Sequence, residues 1–351
     1  MTTEIKTLKE VRDIARNKLK GICGVYKDCD GDPRRLCQGQ SYGRALGIGG
    51  IGSGTSFKNN FLALRKYKLK MKLVEEDFTP ETSYNFFGKE LSMPIMAASV
   101  AGVTSFGGDS VISEQEFCRS VVLGCKSAGT MGWRGDTYTY SLENSYGINA
   151  IAEADGFGVK IVKPRDQETI IKFFKKAEEV GCVAVGVDVD GACSYAMRTH
   201  NKPVFKKSHE DIKELVSSTE LPVIIKGIMC PEDALKAAES GAAAIVVSNH
   251  GGRVMDHTPG TADVLPEIVN ELKDKIKIIV DGGIRTGYDV VKMLALGANS
   301  VLIGRDIIRA AVGAGTKGVK IHMDYMQNTF QKAMKMTGCR SIDEVTPEIL
   351  Y

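Results

Sequence analysis

The chain lacks an excess of either charge: its 351 residues carry 46 Lys plus Arg against 43 Asp plus Glu, a net charge of +3. That is too mild to make a polyanion-binding surface, so nucleic acid is not an expected partner. No run approaches the roughly 18 apolar residues that a membrane-spanning helix requires, and no membrane partner is expected. The opening stretch MTTEIKTLKEVRDIARNKLK carries charges every few residues and has no apolar stretch of a secretory signal. Nine cysteines, an odd number, are scattered through a chain large enough to fold without stapling. Reduced thiols in a cytoplasmic protein are the corresponding expectation. Cys23, Cys29 and Cys37 lack the close pairs and the fourth ligand of a structural zinc site, so no metal is expected. Repeats beyond the unit described next, and low-complexity tracts, are also missing.

What is present is a globular composition, 43% hydrophobic and 25% charged, with 38 glycines gathered at the ends of apolar runs. At roughly 150 residues per domain the length would suggest two domains, but α/β barrels commonly exceed 200 residues as one unit. From residue 93 one pattern recurs: a short apolar run, a loop, then an amphipathic stretch. Strands are predicted at 93–99, 125–130, 156–162, 184–190, 222–228, 243–250, 276–283 and 300–305. Their interiors (IIK, AIVV, KIIV, VLI) are nearly continuous, as expected of parallel strands buried on both faces. Helices are predicted at 166–180, 210–218, 231–240, 263–273 and 288–296, several ending at glycine. Eight β/α units in succession predict an α/β fold, a closed (β/α)8 TIM barrel over residues 93–351. Residues 1–92 read as an N-terminal extension capping one end: a helix over 5–20, a Cys- and Gly-rich stretch, and a half-buried strand over 64–76. In that strand Lys66, Lys68, Lys70 and Lys72 would face solvent, and Tyr67, Leu69, Met71 and Leu73 would face inward.

Such barrels carry their active sites at the C-terminal ends of the strands. There the sequence offers Asp188 and Asp190 on strand four, Lys226 on five, SNHGGR (248–253) on six, DGGIRTG (281–287) on seven and IGR (303–305) on eight. Glycine-rich turns after the last two strands expose backbone N–H groups and, with Arg285 or Arg305, make a phosphate cradle. In SNHGGR, His250 has the chemistry of a general base near neutral pH, and Arg253 that of a bidentate partner for a carboxylate. Lys226 could stabilise negative charge on a cofactor or, if desolvated, act as a Schiff-base amine. The long 191–208 loop reads as a lid, from which Arg198 and His200 could reach a substrate.

LSMPIMAAS (91–99), LPVIIKGI (221–228), GAAAIVVSNHGGR (241–253), IIVDGGIRTGYDVVKMLALGA (278–298) and VLIGR (301–305) together resemble the FMN-dependent α-hydroxy acid oxidase and dehydrogenase family, which includes glycolate oxidase, lactate oxidase and mandelate dehydrogenase. The resemblance runs from about residue 90 to the C-terminus. It implies FMN as cofactor, its phosphate on Gly283, Arg285, Gly304 and Arg305, with Asp281 and Gly282 in the same wall. Lys226 would lie at the flavin N1/O2 edge, Ser99, Val100 and Ala101 would face N5, and Ser127 and Ser248 are further cofactor-binding candidates. His250 would take the proton of a 2-hydroxy acid, Arg253 would hold its carboxylate, and Asp190 would orient the imidazole. The expected activity is oxidation of a small carboxylate-bearing substrate, most simply an L-2-hydroxy acid to the 2-oxo acid. A flavin-dependent isomerase or lyase on the same barrel, or a catalytically altered FMN-binding protein, are the alternatives. Two departures bear on the substrate pocket: Lys160 stands where the family has a substrate-contacting tyrosine, and Asp188 where it has threonine. Lys160 is therefore a substrate-binding candidate, with Arg198, and a pair between Lys160 and Asp188 is conceivable. Tyr26 is an unaligned substitute for a second family tyrosine. A homo-oligomer is implied by the resemblance; the electron acceptor leaves no mark in the chain.

Overall fold

The computed structural model describes residues 4–22, 49–272 and 275–351; Tyr26, Cys23, Cys29 and Cys37 lie outside them. Helices α1 (Leu8–Leu19) and α2 (Thr55–Lys66) precede an antiparallel hairpin, β1 (Tyr84–Phe86) and β2 (Lys89–Leu91). Eight strands follow: β3 (Ile95–Ala97), β4 (Gly132–Arg134), β5 (Gly158–Val162), β6 (Ala184–Asp188), β7 (Val223–Ile228), β8 (Ala244–Val247), β9 (Lys277–Asp281) and β10 (Ser300–Ile303). All pair in parallel, each with its sequence neighbours, and β10 returns to β3 to close the (β/α)8 barrel. Around it lie α3 (Glu114–Ser127), α4 (Tyr146–Ala152), α5 (Gln167–Glu179), the short α6 (Tyr195–Thr199), α7 (His209–Ser217), α8 (Pro231–Glu239), α9 (Thr261–Leu272), α10 (Gly287–Ala295) and α11 (Arg305–Thr337), the last broken at Ala314 and Gly315. Among the described residues no helix is long and apolar enough to cross a membrane.

Side chains alternate along each strand between two layers. Met96, Trp133, Val159, Ile161, Ile224, Val246, Ile279 and Leu302 fill the barrel interior. Val162, Val187, Ile225, Val247, Val280 and Ile303 pack outward under the helices. The β1–β2 hairpin inserts Phe86 and Leu91 into the interior layer, Phe86 lying 5.9 Å from the Trp133 ring. Lys277, the first residue of β9, sits 5.5 Å over Tyr84, so the hairpin fills the N-terminal end of the barrel.

Two sequence expectations are corrected. Residues 125–127 end α3, and the second barrel strand is 132–134. Val121, Val122 and Cys125 are spaced to bury one helical face, and the true strand is three residues ending in Arg134, too short and too polar to read as an apolar run. The stretch 64–76 is not a strand: 64–66 finish α2, and only Leu69 makes an isolated bridge, to Leu350. Met71 and Leu73, expected to face inward, are exposed.

His322 on α11 is fully buried with its Nε2 unpartnered among the described residues. Burial pushes its pKa down from 6.5 to about 4. Between those values the unfolded chain binds a proton that the folded chain refuses, so stability is complete above pH 6.5 and falls as pH drops towards 4. Relative to His322→Gln, the wild-type protein is expected to lose about 2–3 kcal/mol between pH 7 and 4.5. Urea unfolding of both proteins at the two pH values checks this; parallel losses would show that His322 is not buried neutral.

Candidate active site

A cavity of about 340 Å³ opens at the C-terminal mouth of the barrel, within the range typical of small-molecule sites. The interior parity that fills the barrel with apolar side chains continues to its rim. Ile161, Ala184, Ile224 and Ile279 face inward, so Lys163, Asp188, Lys226 and Asp281 do as well. Lys226 Nζ lies 3.0 Å from Asp188 Oδ1 and 4.0 Å from Asp281 Oδ2. Burial alone would pull the lysine down, but Asp188, Asp190 and Asp281 outweigh it and hold the ammonium charged well above its ordinary range. Burial likewise pushes Asp188 up, and His250, Lys163 and Lys226 reverse this, leaving it well below the carboxylate range. Asp281 is pushed up by burial, only partly offset by Lys226 and by the 2.8 Å hydrogen bond from Ser248 Oγ. The Schiff-base role for Lys226 is therefore corrected: a nucleophilic amine must be neutral, and this one is ion-paired.

The SNHGGR loop leaves β8 as a tight turn. His250, Gly251 and Gly252 all have positive φ (56°, 60° and 78°). A Cβ on Gly252 would meet Phe57 N at 2.4 Å, and one on Gly251 would meet Arg305 Nη1 at 2.3 Å, so the turn is wedged between α2 and the last β/α loop. A histidine in the left-handed region costs about 1 kcal/mol or more, and such strain persists where surroundings over-determine it. Here they do: Asn249 accepts from Asn60 Nδ2 at 2.7 Å and from Gly252 N at 3.2 Å, and Ile51 N donates to Gly252 O at 2.8 Å. The turn aims the imidazole at β6. His250 Nδ1 lies 2.9 Å from Asp190 Oδ1 and 3.5 Å from Asp188 Oδ2. A carboxylate can only accept, so Nδ1 carries the hydrogen and Nε2 keeps a lone pair for a proton. Arg253 lines the same cavity, with one Nη on Gly49 O at 3.2 Å.

The opposite wall is built for an anion. Ser99, Val100, Ala101, Gly282, Gly283, Arg285, Gly304 and Arg305 all line the cavity. Of the two helix N-termini that approach it, that of α10 is closed by its own Asp289, which accepts from the N–H groups of Arg285 and Thr286. That of α11 starts at Gly304 with no side-chain cap, and a Cβ there would meet only Ala98 and Val100 at 3.9 and 4.0 Å. Arg285 Nε is buried without a hydrogen-bond partner among the described residues, 3.8 Å from Asp306 Oδ2. An uncapped helix start, an open cradle and two arginines, Arg285 and Arg305, on the same wall fit a phosphate monoester. FMN would be held by Arg285, Arg305 and the Gly304 cradle at its phosphate, with Lys226 and the 99–101 backbone lining the remaining walls.

Of the expected site residues, Asp190 meets the cavity only through His250, and Ser127, Ser248, Arg198, Lys160 and His200, the last stacked on Tyr138, do not line it. Ser127 caps the far end of α3, its Oγ on Gly124 O at 2.8 Å. Ser248 is buried beneath the wall and binds Asp281. Arg198 is exposed on α6, although its neighbours Cys193 to Met197 do line the cavity. Lys160 points outward between β5 and α5, its Nζ on Gly135 O and 5.7 Å over the Phe173 ring, and burial lowers it to about 8. The residue missed is Lys163, which lines the cavity and pairs with Asp188 Oδ2 at 2.5 Å. Counting by twos from Ile161 would have found it.

Comparison with known proteins agrees with this geometry. The family described as FMN-dependent dehydrogenase matches residues 45–207 and 194–351. Peroxisomal (S)-2-hydroxyacid oxidase GLO3 of Arabidopsis thaliana is 50% identical over 139 residues, 40% of this chain and 38% of that protein, so this match spans well under two thirds of the relative's length. 2-Hydroxyacid oxidase 1 of Homo sapiens is 29% identical over 330 residues, 81% of this chain and 85% of that one. A crystal structure of mandelate oxidase superposes with a TM-score of 0.79 at 25% identity, covering 99% and 98% of the two chains. With the match extending over most of the sequence, and with a phosphate cradle and a carboxylate-held histidine facing one cavity, the chain belongs to the FMN-dependent dehydrogenase family.

Proposed function

We propose that this protein oxidises a small L-2-hydroxy acid to the 2-oxo acid. The observation that carries the reading is the 2.9 Å contact between His250 Nδ1 and Asp190 at the rim of a cavity that Arg253 and Lys226 also line. Arg253 holds the substrate carboxylate through paired N–H groups. His250 Nε2 takes the hydroxyl proton, and Asp190 holds the ring and offsets the charge it gains. Bound FMN supplies the two-electron sink for the hydrogen and electron pair leaving the α-carbon. Lys226, kept charged by its carboxylates, offers a fixed positive charge to the negative charge arriving in the cavity. The anion-binding wall would serve any flavin protein; the intact His250–Asp190 contact, with Arg253 on the same cavity, favours this over a flavin-dependent isomerase or lyase or an inert flavin carrier.

Arg253→Met is expected to raise KM for a 2-hydroxy acid by at least about tenfold, the loss of one charge-assisted hydrogen bond or more. Steady-state turnover checks it, and an unchanged KM would remove Arg253 from the substrate.

The six described free cysteines support a reducing, cytoplasmic setting. Exposed Met71, Leu73 and Val74 support association into a homo-oligomer. Residues 1–92 would serve the 93–351 barrel as a cap, through the hairpin below and α2 against the mouth.

A further inference from the structure

We propose that Asp188 is a second positioning carboxylate for His250, sharing the task with Asp190, and that Lys163 is the counter-ion that allows it there. The proposal rests on the reading of His250 as the base. Asp188 ends β6 and Asp190 follows two residues later in a 3-10 turn, so both carboxylates face the same imidazole edge. Asp188 Oδ2 stands 3.5 Å from Nδ1, against 2.9 Å for Asp190 Oδ1, so a small ring rotation exchanges one acceptor for the other. The second oxygen of Asp190 has no hydrogen-bond partner among the described residues, so Asp190 is held to the imidazole by one oxygen only.

Asp188 is almost fully buried, and a carboxylate at that depth needs paired charge. Lys226 meets one oxygen at 3.0 Å and Lys163 the other at 2.5 Å. Lys163 is itself fixed. Its backbone N–H donates to Asp136 Oδ2 at 3.0 Å, and Arg165 clamps Asp136 through Nε at 2.8 Å and Nη2 at 2.9 Å. Gly191, just past Asp190, leaves the space the lysine crosses: a Cβ there would meet Lys163 Cδ at 2.9 Å. Three carboxylates, Asp188, Asp190 and Asp281, thus face two ammoniums, Lys163 and Lys226. The set reaches neutrality when His250 holds a second proton, which is its state just after proton abstraction. One remaining carboxylate is enough to fix the Nδ1–H tautomer and leave Nε2 free; losing both is not.

The test is a double-mutant cycle on the FMN-loaded enzyme, following flavin bleaching by a 2-hydroxy acid in oxygen-free rapid mixing. Asp188→Asn and Asp190→Asn are each expected to slow reduction by roughly tenfold, and the pair by on the order of a thousandfold or more, beyond the product of the singles. KM should stay within about twofold and FMN content should not change, a split that loss of structure would not give. Lys163→Met should slow reduction in the wild type and by a clearly larger factor in the Asp190→Asn enzyme, where Asp188 is the carboxylate left to hold the imidazole. A double variant no slower than the product of the singles, or Asp190→Asn alone as slow as the pair, or equal effects of Lys163→Met in both backgrounds, would overturn the proposal. Wild-type reduction by His250→Gln would instead overturn the base reading on which it stands.

Discussion

His250→Gln is expected to keep FMN bound and to reduce it with a 2-hydroxy acid at least about a thousandfold more slowly than wild type, within the range a positioned base contributes. A glutamine amide offers no lone pair basic enough to take the hydroxyl proton, although it can still donate to Asp190. The anion-binding wall is built from other residues, Arg285, Gly304 and Arg305, so cofactor content should not follow the loss. The turn keeps its Gly251 and Gly252, and its anchors at Asn249 and Ile51 do not involve the imidazole. Single-turnover mixing without oxygen, with FMN content read from the bound absorbance, measures both quantities. A variant that reduces FMN at the wild-type rate would assign the proton transfer elsewhere.

Arg285→Met is expected to weaken FMN binding by roughly 10- to 100-fold and riboflavin binding hardly at all. The difference is the phosphate, and a hydrogen bond to a charged group is worth about 1.5–3 kcal/mol. Arg285 lines the cavity, its Nε buried 3.8 Å from Asp306 Oδ2 and one Nη donating to Ile284 O at 3.1 Å. Asp306 behind it would be raised by burial, but the guanidiniums around it, Arg285 foremost and Arg309 with it, hold it below the usual carboxylate range. The guanidinium is thus backed by an ionised carboxylate and faces an uncapped helix start. Fluorescence titration of the apoprotein with the two flavins checks the prediction. Equal losses for both would mean that Arg285 serves only the fold.

The barrel was legible because its signal is redundant. Runs such as AIVV and KIIV read as strands buried on both faces because each is short, bounded by turn residues and followed by a helix of the right period, in unit after unit. The second strand failed because it is three residues ending in a buried arginine, and the helix before it carries the apolar run instead. The stretch 64–76 failed for the opposite reason: its alternation is real, but no neighbouring strand pairs with it beyond Leu69, so Met71 and Leu73 stay in solvent. At the site, SNHGGR, DGGIR and IGR marked the right rim because glycine, histidine and arginine at strand ends have few other uses. Lys160 was misplaced by one layer. Strand parity sends it under α5, while Lys163, two positions past inward-facing Ile161, continues the interior face. Ser127 followed the misplaced second strand. The clamp of Asp136 on the Lys163 backbone joins residues 27 apart, and no periodicity along the chain announces such a contact.

The measurement that bears most directly on the whole reading is an anaerobic titration of the FMN-loaded protein with a panel of small 2-hydroxy acids. The expected result is loss of the oxidised flavin absorbance with one L-2-hydroxy acid or more, and one equivalent of 2-oxo acid formed per flavin. A protein that binds FMN fully and stays oxidised with every member of the panel would contradict it.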